Sequence, residues 1–206
     1  MENEKLACLD LLRQREIDVL IVDGRAGSGK TEFIRKIIEY VGKYNIQTVL
    51  LTPTGAARLV LSKRVKKEVS TIQSRIYAYC EESSDLDQHV FKLKPQNLEC
   101  ETWVIIDEAS MVGNLPQKSG NLLFGSGMLL DDIFEAFGNS ASYIFVGDKF
   151  QLSPIGQTNS PALDSNVLKD QYKKEVGLLK LEGNFRQEGQ ELVNFAKSII
   201  EEHKND

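Results

Sequence analysis

The sequence predicts an α/β domain with a parallel sheet covered by helices on both faces. Two observations carry this. Short, nearly all-apolar runs alternate with amphipathic stretches along the chain, and strands that are apolar at every position belong to sheets buried on both sides. The first such run leads through a glycine-rich turn directly into a helix, the strand–loop–helix grammar of an α/β unit.

In chain order, Leu6 to Leu12 reads as a short helix and Asp18 to Val22 as a buried strand. Phe33, Ile34, Ile37, Ile38 and Val41 lie on one face of a helix over Thr31–Val41, with Gly42 as its stop. Thr48–Leu51 is a second strand, followed by helices near Ala56–Lys63 and Thr71–Tyr79. Glu81–Glu99 is polar and irregular, with one hairpin strand at His89–Leu93. Trp103–Ile106 is a third strand and Gly113–Gly127 a loop rich in Gly, Asn and Ser. A helix with its apolar face at Leu129, Leu130, Ile133, Phe134 and Phe137 precedes a fourth strand, Ser142–Val146. Val176–Leu181 is a fifth strand, and an amphipathic helix carrying Leu192, Val193, Ala196, Ile199 and Ile200 ends the chain. No linker interrupts the pattern, so residues 1–206 read as one domain.

The composition is that of an ordinary globular protein. No apolar run is long enough to cross a bilayer, and the acidic N-terminus lacks a signal-peptide core, so the expected location is the cytoplasm. Cys8, Cys80 and Cys100 are scattered and read as reduced thiols, and the isolated His89 and His203 offer no zinc site. The net charge of −5 argues against gripping nucleic acid by bulk charge, while leaving a local contact track open.

The chemistry is concentrated after the strands. Gly24-Arg25-Ala26-Gly27-Ser28-Gly29-Lys30-Thr31 matches G-x-x-x-x-G-K-[ST] in full and sits between a strand and a helix. Its glycines let backbone N–H groups point inward around phosphate, and the helix N-terminus adds partial positive charge. Lys30 can reach the β- and γ-phosphates of ATP, and the Thr31 hydroxyl can hold Mg²⁺. Asp107-Glu108 closes the third strand, which suits Asp107 to Mg²⁺ and Glu108 to activating water. Gln151 follows the fourth strand within Gly147–Leu152, where it can bond the γ-phosphate or the attacking water and report hydrolysis.

Taken in order, Gly24–Thr31, Leu51-Thr52-Pro53-Thr54-Gly55-Ala56-Ala57, Ser70–Gln73, Ile105–Met111, Gly147–Gly156 and Leu181-Glu182-Gly183-Asn184-Phe185-Arg186-Gln187 resemble the first RecA-like domain of superfamily 1 DNA helicases. The match is nearest the RecD-like branch that moves 5′ to 3′. The resemblance implies a P-loop NTPase fold with a RecA-like sheet, ATP and Mg²⁺ as ligands, and single-stranded DNA as partner. It implies an arginine finger at Arg186, and contacts to the strand from Thr52, Pro53, Thr54 and Gly55, where a plain strand-to-helix turn is the other reading. It also implies a second RecA-like domain, supplied by a longer chain or a partner subunit, without which these residues are expected to unwind poorly or not at all. Glu81–Glu99 falls where relatives insert a strand-splitting hairpin. Departures from the family pattern are Gln14, which lies closer to the first strand than the adenine-reading glutamine, Gln73 in place of histidine, and the long Gly113–Gly127 segment. Lys63-Arg64-Val65-Lys66-Lys67 suits a nucleic-acid backbone or a solvated helix end equally. An RNA helicase of the same superfamily and a nucleotide-dependent switch that unwinds nothing are the rival readings.

Overall fold

The computed structural model describes residues 2–80, 89–116 and 121–182. Six strands form one parallel sheet: β1 (Val19–Asp23), β2 (Gln47–Thr52), β3 (Ser70–Thr71), β6 (Thr102–Ile106), β8 (Ala141–Gly147) and β9 (Val176–Lys180). Their spatial order is β3-β2-β6-β8-β1-β9. The helices are α1 (Glu2–Arg13), α2 (Lys30–Gly42), α3 (Gly55–Val65), α4 (Ile72–Ile76), α5 (Leu129–Phe137) and α6 (Ser165–Asp170).

The apolar strands divide their side chains between two cores, because successive residues of a strand face opposite ways. Val19, Ile21, Val104, Ile106, Tyr143 and Phe145 pack with α4, α5 and α6. Leu20, Val22, Trp103, Ile105, Ile144 and Val146 pack with α1, α2 and α3. Trp103, Tyr143 and Phe145 are fully buried, and each such side chain contributes about 2–3 kcal/mol through the water it sheds.

Register brings the chemistry to one edge. Asp23 pairs with Gly147, Ile106 with Phe145, and Leu51 with Ile106. The C-terminal ends of β1, β2, β6 and β8 are therefore level, and every motif that follows one of them opens onto the same rim.

The structure changes several of the sequence expectations. The helix expected over Thr71–Tyr79 stops at Ile76, and Tyr77–Cys80 is instead strand β4. A five-residue helix is near the nucleation limit, whereas Tyr77 gains burial and antiparallel pairing with β5 (His89–Leu93). The Gly113–Gly127 segment contains β7 (Leu122–Phe124), which adds in parallel to β5. Stacking of Phe91 on Phe124, with ring centroids 4.6 Å apart, supplies the apolar contact that recruits it. The hairpin expected near 81–99 thus belongs to a three-stranded sheet, β4-β5-β7. Asp132 of α5 anchors this sheet by accepting hydrogen bonds from Tyr77 Oη at 2.5 Å and Ser126 N at 3.2 Å.

Gly42 remains inside α2. The left-handed residue that closes the turn is Asn45, φ 56°, just before Ile46 N bonds back to the Val41 carbonyl. The expected C-terminal amphipathic helix lies outside the described residues.

Candidate nucleotide site

The phosphate loop is shaped by its own backbone. Gly24 N donates to the Gly147 carbonyl at 3.0 Å, tying the loop's start to the end of β8. Gly27 and Gly29 sit at φ 84° and 91°, conformations that only glycine adopts without strain. Gly29 caps α2 with no side-chain bond, so the first-turn N–H groups meet no capping oxygen. A methyl group on Gly24 would overlap Ser28 Oγ and approach Leu181 Cβ to 3.0 Å, so the chain crosses here at glycine distance. Ser28 is 4% exposed and its Oγ has no protein partner. Lys30 Nζ arches over the loop and donates to the carbonyls of Gly24 at 2.5 Å and Arg25 at 3.2 Å.

Asp107 follows β6, and its N–H donates to the Leu51 carbonyl at 3.0 Å. Burial pushes its carboxyl up to about 6, helped by the neighbouring Glu108 charge. The Glu108 backbone, Lys30 and Arg64 pull the other way. Glu108 itself is left-handed at φ 55°, ψ 39°, a conformation that costs a non-glycine residue about 1–3 kcal/mol. In an extended strand, consecutive side chains would face opposite ways. The left-handed turn lets Asp107 and Glu108 line one cleft.

Asp107 has a consequence for stability without nucleotide. Its folded value lies above the ordinary carboxylate value of about 3.9, so the folded state holds the extra proton between them. The cost of ionising it is absent below about pH 4 and grows as pH rises through about 6. Asp107→Asn is therefore expected to raise the melting temperature of the nucleotide-free protein by about 3 °C or more near pH 8. At about pH 4 the variant and the parent should melt together, and thermal melts at the two pH values check this.

The turn after β8 is pinned to the loop. Lys149 N donates to Asp23 Oδ1 at 3.2 Å, Phe150 N to Asp148 Oδ1 at 3.0 Å, and Gln151 N to the Asp148 carbonyl at 3.1 Å. The Arg25 guanidinium lies 5.0 Å from the centroid of the Phe150 ring, a cation–π contact between the phosphate loop and the turn that carries Gln151. Ala26, Gly27, Gly29, Lys30, Thr31, Asp107, Glu108 and Gln151 all line one open cleft of about 520 Å³. Gln151 also lines a smaller polar hollow of about 270 Å³ with Ser110, Asn159 and Asn166.

The turn after β2 is organised by its hydroxyls. Thr52 is fully buried and donates to the Thr54 carbonyl at 3.1 Å, and Thr54 Oγ1 accepts from Ala57 N at 3.2 Å as the N-cap of α3. The surface offered outward is thus Pro53, Thr54 and Gly55, with Thr52 holding the turn from beneath. Arg186 lies outside the described residues, as does the rest of the Asn184–Gln187 run.

Six residues lining the cleft were not anticipated as part of it: Glu32 and Arg35 on α2, and Ala57, Val60, Leu61 and Arg64 on α3. The available signal was the i, i+3, i+4, i+7 spacing of Ala57, Val60, Leu61 and Arg64, which puts them on one helix face.

The residues fit a nucleoside triphosphate with Mg²⁺. Ser28 Oγ is an orphaned polar atom within the loop, and the hydroxyl of Thr31 with the carboxylate of Asp107 is the hard-oxygen pair that Mg²⁺ accepts alongside phosphates.

Fold and site together define a P-loop NTPase domain built on a RecA-like parallel sheet. The model of a family described as an AAA domain matches residues 5–206, and the chain belongs to that family. No curated protein matches the chain in sequence. Among solved structures, Pif1 from Bacteroides sp in complex with ADP-AlF4 is similar at 24% identity and TM-score 0.55, with 95% of this chain covering 45% of that one. Bacteroides Pif1 bound to ssDNA is similar at 23% identity and TM-score 0.56, with the same coverage. Pif1 helicase from Candida albicans is similar at 19% identity and TM-score 0.57, with 96% of this chain covering 43% of that one. The chain therefore spans less than half the length of these structures. Among the described residues, no helix is long and apolar enough to cross a membrane.

Proposed function

We propose that this chain is the ATP-binding and ATP-hydrolysing motor domain of a superfamily 1 DNA helicase or translocase. It acts on single-stranded DNA in the 5′-to-3′ direction and works in the cytoplasm. The observation that carries the reading is the convergence of Lys30, Thr31, Asp107, Glu108 and Gln151 on one cleft.

In this reading the backbone of Gly24–Gly29 and the N-terminus of α2 cradle the phosphates, and Lys30 neutralises their charge. Thr31 and Asp107 would hold Mg²⁺, which would supply positive charge against that developing on the phosphates. Glu108 orients a water in line with the γ-phosphate and takes its proton. Gln151 bonds the γ-phosphate or the water and exchanges partners when phosphate leaves. Arg186 places a cation on the transferring phosphoryl group. Pro53, Thr54 and Gly55, with Thr52 beneath them, meet the strand through its phosphates without reading sequence. A second RecA-like domain, from a longer chain or a partner, closes the cleft and converts turnover to stepping. The similarity to Pif1 structures solved with ssDNA and with ADP-AlF4 supports the choice of ligands.

The test is ATP turnover by the longest native form of the gene product, with and without single-stranded DNA and single-stranded RNA. Strong stimulation by DNA is the expected result. Stimulation by RNA alone would move the substrate to RNA, and turnover indifferent to both would make the protein a nucleotide switch.

A further inference from the structure

The basic run Lys63–Lys67 does not act as a unit. Val65 is buried in the core, and Lys66 at φ 53° closes α3 in a left-handed turn. Lys63, Arg64, Lys66 and Lys67 are all exposed, but of the four only Arg64 lines the cleft, together with Lys30, Asp107 and Glu108.

Helix geometry explains the division. Ala57, Val60, Leu61 and Arg64 share the face of α3 that borders the cleft, opposite Thr31, Glu32 and Arg35 of α2. Arg64 lies about 10 Å along the axis from Ala57. Side chains on a helix lean toward its N-terminus, which at α3 is the end beside the strand termini. A long guanidinium stem starting at Arg64 can thus extend along the cleft that Asp107 also lines.

The charges of the cleft single this arginine out. Its cations are Lys30, Arg35 and Arg64, and its carboxylates are Glu32, Asp107 and Glu108. Arg35 is paired with Glu32 on its own helix at 2.9 Å. Lys30 is engaged by two loop carbonyls. Among the described residues Arg64 belongs to no ion pair within 4 Å. It is left as a planar, permanently charged fork at the Asp107 side, where a triphosphate held by the loop would bring its third phosphate. Such forks match phosphate oxygens.

We propose that Arg64 contacts the γ-phosphate end of the bound nucleoside triphosphate from α3, so that this domain by itself distinguishes triphosphate from diphosphate. The inference rests on the nucleotide reading of the cleft and goes beyond it, because it assigns a γ-phosphate contact to a helix outside the phosphate loop, the acidic pair and the Gln151 turn.

The experiment is a titration of the full chain with fluorescent ATP and ADP analogues in Mg²⁺, for the parent and for Arg64→Gln, Arg64→Lys, Lys63→Gln and Lys30→Ala. Single-stranded DNA binding is measured in parallel. Arg64→Gln is expected to weaken the triphosphate about tenfold or more, the size of one lost charge-assisted contact, and to change the diphosphate by less than about twofold on the same scale. Arg64→Lys should recover part of the loss, and Lys63→Gln should match the parent. Equal losses for both nucleotides would overturn the proposal, as would unchanged nucleotide affinities with weakened DNA binding, which would assign Arg64 to the strand. If the parent binds neither analogue, or Lys30→Ala binds as well as the parent, the nucleotide reading itself fails and Arg64 falls with it.

Discussion

Lys30→Ala is expected to remove ATP turnover, by about 10²- to 10³-fold or more, the range seen when a preorganised stabiliser of transferring charge is deleted. Lys30 is the residue at which loop, helix and cleft meet. It begins α2, lines the cleft, and folds its ammonium onto the carbonyls of Gly24 and Arg25. The substitution takes away the cation and the clasp that holds these two carbonyls in place. Nucleotide titration and steady-state turnover, with a thermal melt to show that the fold is intact, measure the effect. Undiminished turnover in a folded Lys30→Ala protein would remove the loop from the chemistry.

Glu108→Gln is expected to separate binding from hydrolysis. The change keeps size and shape at a left-handed position, which neither side chain occupies without strain. It deletes the carboxylate that would take the proton from water, a role that contributes about 10²- to 10⁴-fold. It also removes a negative charge that helps push the Asp107 carboxyl up. Ionised Asp107 is then favoured, and binding of Mg²⁺ with nucleotide should hold or tighten. A kcat reduced by that factor with an unchanged or lower dissociation constant is the anticipated pattern. Equal hydrolysis by parent and Glu108→Gln would exclude Glu108 as the base.

The two substitutions probe one structural unit, the cleft that Lys30 and Glu108 both line. The phosphate loop is tied to the end of β8 through Gly24 N and the Gly147 carbonyl, and the Gln151 turn is tied to β1 through Lys149 N and Asp23. Arg25 against Phe150 links loop and turn a second time. The rim is therefore braced sideways.

Sequence reading and structure agree where the physics is local. The glycine-shaped loop before α2 was legible because its glycines, lysine and threonine are contiguous in the sequence. The inner strands of the parallel sheet were legible because a strand buried on both faces has to be apolar throughout, as Val104-Ile105-Ile106 and Tyr143–Val146 are, whereas the edge strand β9 is legible as an apolar run although only partly buried. Asp107-Glu108 was legible because it directly ends such a strand. The agreement lapses where a remote partner outweighs local preference. Tyr77–Cys80 leaves a helical pattern to pair with β5, and Leu122–Phe124 becomes a strand inside a glycine-rich stretch because Phe91 stacks on Phe124. Thr52 carries the residue type of a strand contact, yet the end of β2 buries its hydroxyl beneath the turn.

By itself, then, the sequence determined a parallel α/β domain, its phosphate loop, and the acidic and glutamine-bearing ends of two further strands, since each is encoded within a few consecutive residues. Only the tertiary structure decided the order β3-β2-β6-β8-β1-β9, the three-stranded side sheet and the place of Arg64 in the cleft that Asp107 lines. These depend on which distant surfaces bury one another, and on one helix face meeting another across a cleft. No short window of sequence contains that information.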